Sequence, residues 1–410
     1  MKKLAFILIL CLCFILLVSC NSEDEPIDIF TDESRDPDET VKCEHVFGEW
    51  ETVGADNCVT EGVEIRTCRK CAYEETRAVM GKEHSFVGES CELCGAPAPT
   101  KELEYTTSGG EYIAIINDAI TAEILVIPEE HKGKPVTQVM RRTSCTSVRE
   151  VYIPASIVKI ESGAFANMSK LETVHIPQDS NITTIGNGAF RTCTSLREIS
   201  FENCKKLTSI GDEAFYGCTE LETVILPDSV DTLYSGAFSG CTKLKNFEYT
   251  GAFKLVAHEA FANCTSLENI NFMNKSSVIA SSMFFGCTGL KNIRIPDSVT
   301  KIEQHAFANS GLENIALPQS IETVERGIFM NCEQLKTVEL NNVITTLSQG
   351  MFQNCSSLVE VSGGAVISRI EKEAFSGCTA LSVLGFETSD DLAVETSAFA
   401  GCDSLENIPS

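Results

Sequence analysis

A phenylalanine returns at near-constant intervals through the last two thirds of the chain, at Phe165, Phe190, Phe215, Phe238, Phe261, Phe284, Phe307, Phe329, Phe352, Phe375 and Phe399. The spacing stays between 22 and 25 residues, too short for one unit to enclose a core of its own. Three residues later stands a cysteine in nine of the eleven copies, from Cys193 and Cys218 to Cys378 and Cys402, with Met168 and Ser310 in the other two. Each unit continues with aliphatic residues in fixed register, as in Leu221, Val224 and Leu226, then Pro227 and a second pair, Val230 and Leu233. Such units fold only by stacking, each burying its Leu, Val, Ile, Ala and Phe against its neighbours in one apolar column. The expected fold class is a β-rich solenoid of about 23 residues per coil.

Within a unit, Val224-Ile225-Leu226 ended by Pro227 predicts a short strand, because proline cannot donate to a ladder. Val230 to Leu233 predicts a second extended piece, and Gly236 through Cys241 a single helical turn. At a strand spacing of about 4.8 Å, eleven coils give a rod roughly 50 Å long. An N-terminal copy is worn: Cys145, Val148, Val151 and Ile153 keep register while Arg142 stands in place of the phenylalanine. Upstream, Gly109-Gly110 between the apolar runs of Tyr105 to Ile127 predicts a hairpin capping the first coil. The column cysteines read as core filler, being small and weakly polar. Cys204, off register in a 25-residue unit, is expected to be the exposed one.

The Leu-x-x-Val-x-Ile-Pro and Ala-Phe-x-x-Cys phrasing resembles the leucine-rich repeat family, in its BspA-like branch of bacterial surface proteins, from about Val136 to the C-terminus. That resemblance implies a solenoid used for adhesion, to host matrix proteins or to another cell.

The amino terminus reads as an address. Met1, Lys2 and Lys3 precede an apolar run from Leu4 to Val18, a basic n-region and an h-region of secretory length that is short for a bilayer span. Leu17-Val18-Ser19-Cys20 resembles the bacterial lipobox. It implies a signal peptide over 1–19, a lipid on Cys20 and membrane attachment through that lipid. Residues 21–40 hold nine acids against one arginine, a composition that cannot bury enough apolar surface to fold, so 20–41 is expected to be a flexible tether. Acids just after the lipidated cysteine also resemble surface-export signals, which points to an outward-facing protein anchored in the bacterial cell envelope.

Residues 42–100 form a cysteine and histidine module that contains Cys43, His45, Cys58, Cys68, Cys71, His84, Cys91 and Cys94. Cys68-Arg69-Lys70-Cys71 and Cys91-Glu92-Leu93-Cys94 are paired knuckles with nineteen residues between them, a spacing that lets two turns hold one tetrahedral zinc. So small a module also needs a staple. Its phrasing resembles a zinc-ribbon-like repeat of secreted bacterial proteins. Zinc, with ligands drawn from Cys43, His45, Cys68, Cys71, His84, Cys91 and Cys94, is one staple; disulfides, suited to an exported chain, are the other. Either way the role is structural. The remaining boundaries are an N-terminal β cap over 101–135 and the repeat solenoid over 136–410.

Function then has few places to reside. With 32 basic against 58 acidic residues and a formal charge of -26, the surface repels phosphate backbones, and nucleic acid is excluded as a partner. His175, His258 and His305 are scattered over different coils, His131 stands in a polar turn where it is expected to be solvated, and no nucleophile elbow or phosphate loop occurs, so no catalytic constellation is expected. A solenoid instead offers a repeated face, with strand side chains alternating outward. The outward positions are Asn246 and Glu248, Asn269 and Asn271, Asn292 and Arg294, and Asn314, the asparagines forming a stripe over four successive coils. These are the candidate contacts for a protein or glycan partner. The rival class is a structural or periplasmic scaffold organising other proteins on the same cell.

Overall fold

The computed structural model describes residues 97–270 and 276–407, and, in the preceding module, 46, 47, 49, 51–53, 62–70, 74–79, 86, 87, 90 and 91. The expected signal peptide, Cys20 and the acidic tether lie outside the described residues. Two units divide between Ala98 and Pro99. In the first, Glu51–Val53, Gly62–Thr67 and Glu74–Val79 form an antiparallel sheet, and Phe86–Val87 pairs with Ser90–Cys91.

In the second unit the coils place short strands on two ladders. One ladder includes Glu198–Ser200, Thr223–Ile225 and Asn246–Glu248, parallel and in register, with Thr223 opposite Asn246 and Val224 opposite Phe247. The other includes Ser209–Ile210, Thr232–Leu233 and Leu255–Val256, again parallel. Proline sets the break between them: Pro227 opens a turn closed by the Val230 N–H donating to the Pro227 carbonyl at 3.1 Å. Where Gly363-Gly364 replaces proline, strand Glu360–Ile370 runs on through the corner. At the start of the ladders, Glu104–Ser108 and Glu111–Ile116 form an antiparallel hairpin around Gly109 and Gly110, whose φ of 62° and 94° suit a two-residue turn. Its second strand lies parallel to Lys134–Arg141. His131 is not the solvated residue expected: its ring stacks on Tyr105 at 3.7 Å and meets Tyr112 edge-on at 4.8 Å.

The expected helical turn is not a helix. Around the ten phenylalanines from Phe165 to Phe375, N–H groups alternate between two kinds of partner. Ala237, Ser239 and Cys241 donate three residues back, to Tyr234, Gly236 and Phe238, while Gly236, Phe238 and Gly240 donate to His258, Ala260 and Ala262 of the next coil. This alternation requires left-handed backbone two residues before and two after each phenylalanine. Gly236 and Gly240 meet it at φ 60° and 75°, and Asn263, Asn309, Asn331 and Asn354 meet it at 58° to 61°. Glycine and asparagine are the residues that tolerate this region best. The segment is therefore a third ladder between coils, built from turns.

Inside, the eleven phenylalanine rings stack in one column at centroid steps of 5.1 to 6.0 Å, within 20° of parallel. A single apolar cluster runs from Leu103 to Cys402. Beside the rings lies the cysteine column, and every Sγ donates to the carbonyl of the phenylalanine one coil earlier, as Cys241 does to Phe215 at 3.2 Å and Cys264 to Phe238 at 3.2 Å. Cysteine fits because it is small, apolar in bulk and still a weak donor. Cys204 is buried as well, against the expectation, with its Sγ 3.4 Å from Ser180 Oγ in the matching corner of the coil before.

Two outcomes follow from this interior. Phe261→Ala removes a ring from mid-column and is expected to destabilise the chain by about 3–5 kcal/mol, read as a lowered urea midpoint. The second concerns alkali. Burial pushes the Cys193 and Cys287 thiols up to about 12 and those of Cys332 and Cys402 up to about 11, from 9.0. Below pH 9 both folded and unfolded chains keep these protons; above it only the folded chain does. Stability is then lost until the folded values are passed, at about 1.4 kcal/mol per pH unit for each such thiol. The urea midpoint should hold steady to about pH 8.5 and fall steeply beyond pH 9, less steeply in a Cys193→Ala, Cys287→Ala double variant.

Candidate binding surface

The outward face is made by the first strand of each coil, where period-two alternation sends one side chain inward and its neighbours out. Asn246 and Glu248 are exposed on either side of half-buried Phe247, Asn292 and Arg294 on either side of half-buried Ile293, and Asn314 beside buried Ile315. Asn269 is exposed too, while Asn271 lies outside the described residues. Hydrogen bonds tie the row to its neighbours at both ends. Asn246 Nδ2 donates to Thr223 Oγ1 at 3.4 Å, and Thr337 Oγ1 donates to Asn314 Oδ1 at 2.7 Å. Asn269 and Asn292 sit on segments outside the strand ladder, so the regular ladder lies on both sides of them.

Sequence reasoning missed a second column one residue before the row. It reads Glu123, Arg149, Glu172, Arg197, Glu222, Lys245, Glu268, Lys291, Glu313 and Lys336 over ten successive coils, strictly alternating in sign. Backbone bonds place its members against one another, with Lys245 N–H on the Glu222 carbonyl at 3.0 Å and Lys336 N–H on that of Glu313 at 2.7 Å. Arg149 reaches Glu172 at 2.7 Å and Lys336 reaches Glu313 at 2.9 Å. The Lys336 hydrogen bond and charge, helped by Lys291, hold the Glu313 carboxyl below its usual range. The signal was available: its period is two repeats, and a search for one-repeat identity passes over it.

Near the N-terminal end of the face, His175 stacks on Tyr152 at 4.1 Å, with Nε2 3.1 Å from Glu150 Oε2. Burial, then the Glu150 carboxylate, to which the phenol donates at 3.5 Å, holds the Tyr152 hydroxyl above its usual pKa.

The model of the BspA type leucine-rich repeat region, itself six copies long, matches over four overlapping ranges, 143–245, 198–312, 254–382 and 300–409. The chain belongs to the BspA-type leucine-rich repeat family. Among solved structures this BspA-type chain is similar to a leucine-rich repeat protein from Bacteroides ovatus, at 26% identity and a TM-score of 0.55 over 75% of this chain and 80% of that one. A leucine rich cell surface protein from Faecalibacterium prausnitzii shares 23% identity over 76% of this chain and 93% of its own, with a TM-score of 0.43. No curated protein matches.

In the cysteine module, Cys43, His45, Cys58, Cys71, His84 and Cys94 lie outside the described residues. Cys68 is buried, bridges to Phe47 and receives the Lys70 N–H on its sulfur at 3.4 Å; Cys91 ends the short strand paired with Phe86–Val87. Among the described residues no three His, Cys, Asp or Glu converge as metal ligands, and no helix is long and apolar enough to cross a membrane.

The alternating column predicts a sign-specific effect. Lys291→Glu sets three carboxylates in succession with Glu268 and Glu313 and should lower stability by about 0.2–1 kcal/mol at low salt. Raising the salt should shrink the loss. Lys291→Gln, measured by the same thermal melts, should lose less.

Proposed function

We propose that the chain is a non-catalytic cell-surface lipoprotein, anchored through Cys20, whose repeat face holds a protein or glycan partner. One observation carries the reading: a polar row of Thr223, Asn246, Asn269, Asn292, Asn314 and Thr337, one outward side chain per coil, tied to its neighbours by hydrogen bonds at both ends. Each asparagine offers both donors and an acceptor, and a row of them matches an extended partner with its own repeated polar groups. Kinship with the BspA-type family supplies the ligand classes, host matrix protein or another cell. No coil gathers nucleophile, base and oxyanion donors as an enzyme of the hydrolytic kind requires among the described residues.

Protease shaving of intact cells distinguishes adhesion from a scaffold. A surface adhesin loses its solenoid to the protease, whereas a periplasmic scaffold keeps it. Replacing Asn269 and Asn292 with alanine should weaken capture of matrix or cell-wall material at least several-fold with the urea midpoint unchanged. Cys20→Ala should release the protein from the membrane fraction.

For the module we propose structural zinc held by ligands from Cys43, His45, Cys68, Cys71, His84, Cys91 and Cys94. The amide directed at Cys68 Sγ supports this, since a hydrogen bond to sulfur favours the thiolate that zinc needs. Reduced full-length chain should carry one or more zinc ions per molecule, removable by chelator. Metal-free chain with its module thiols oxidised would assign the staple to disulfides instead.

A further inference from the structure

A groove opens where the repeat changes length. The steps from Phe165 to Phe190 and Phe190 to Phe215 are 25 residues, and the next, to Phe238, is 23. The extra residues make the corner Phe201–Leu207 two turns deep, with Cys204 N–H on the Phe201 carbonyl and Leu207 N–H on the Cys204 carbonyl, both at 2.8 Å. The following corner is the single Pro227–Val230 turn. A deep corner beside a shallow one leaves a ledge, and beneath it lie two contiguous hollows of about 510 and 530 Å³ that share Asp228, Ser229 and Thr250. This is the size range of sites that receive a discrete chemical group.

The floor of the first hollow is apolar, made by Ile225, Leu226, Pro227 and Tyr249. The Tyr249 ring is fixed from both sides: it stacks on Phe253 at 4.1 Å, its hydroxyl donates to the Val230 carbonyl, and Gly251 lies so close that a Cβ there would sit 2.5 Å from that hydroxyl. Around the floor stand the carboxylates of Glu202, Asp228 and Glu248 against the one ammonium of Lys205. In the second hollow Asp231 is paired with Lys254 at 2.7 Å. Ser229, which lines both hollows, has an Oγ shut off from solvent and without a hydrogen-bond partner. In equivalent turns Ser156 donates to Val136 at 2.8 Å, whereas Ser320 is without a partner as Ser229 is, so the orphan hydroxyl is not particular to the groove.

We infer that this groove receives an arginine side chain presented by a partner protein. Its aliphatic stem lies on Leu226 and Pro227, and its guanidinium is shared between the carboxylates of Asp228 and Glu248 beneath the ledge of Glu202. An apolar floor under an acidic rim is the arrangement that suits a long stem with a cationic head. The planar, multiply donating guanidinium satisfies separate carboxylates better than the compact ammonium of lysine does. Neutral hydroxyls of a glycan would gain nothing from the excess negative charge. The groove contains no member of the asparagine row and shares only Glu248 with the other candidate contacts of the outward face, so it adds a contact that the row does not supply.

The test uses full-length protein and three end-blocked pentapeptides, Gly-Gly-Xaa-Gly-Gly with Xaa arginine, lysine or glutamine, titrated by NMR or calorimetry at fixed ionic strength. Saturable one-to-one binding of the arginine peptide is expected, several-fold tighter than the lysine peptide, with no binding of the glutamine peptide. A D228N, E248Q double variant keeps the acceptor that Thr250 bonds at position 228 and should lose at least tenfold in affinity. A matched double variant, E387Q with D391N, removes two exposed carboxylates from a distant coil and should lose less than twofold. Equal losses in the two variants would reduce the effect to diffuse attraction and overturn the assignment. So would indistinguishable binding of arginine and lysine peptides, or saturable binding of a neutral oligosaccharide that the peptide does not displace. An arginine peptide that fails to bind a chain still able to capture its partner overturns the groove alone and leaves the asparagine row standing.

Discussion

Every coil of this protein depends on the next for its interior. A unit of about 23 residues has no inside of its own, so the burial that stabilises it exists only between copies. The phenylalanine column is where this dependence is most concentrated, because each ring between the first and the last is covered above and below by the same ring. The hydrogen bonds follow the same rule. In the turn segment alternate amides leave their own coil to bond the next, and the cysteine thiols bond the coil before. Stacking of rings, amides and thiols together sets the interval at which everything on the outside repeats.

That interval was legible in the sequence, because phenylalanine and cysteine are bulky or reactive enough to stand out at a fixed spacing. The strands were legible from the proline stop, and the first hairpin from Gly109-Gly110. Other features were hidden for identifiable reasons. An Ala-Phe segment flanked by Gly or Asn has the local look of a helical turn, yet its i to i+3 bonds are interleaved with bonds to a coil that no local pattern reveals. Cys204 is off register with the cysteine column but in register with Ser180 in the neighbouring long corner, so its burial follows from a second, shorter-lived repeat. His131 was placed in solvent by its polar neighbours, whereas Tyr105 and Tyr112 reach it from 26 and 19 residues away.

The outer surface combines regularity with local irregularities, one of which opens a groove. Along most of the face, the asparagine row and the charge column change little from coil to coil, which favours extended partners over point ligands. At Phe201–Leu207 two added residues disturb the corner, and an acidic groove with an apolar floor results. A solenoid thus acquires a discrete pocket by local change of loop length, without altering the column beneath it.

The alternating charges restrict how such a chain can grow or shrink. Excision of the single coil bearing Lys245 would bring Glu222 beside Glu268, whereas excision of two adjacent coils would restore opposite signs at the join. The interior accepts any number of copies, but the exterior counts them in even numbers, so the parity of the array is written on its skin.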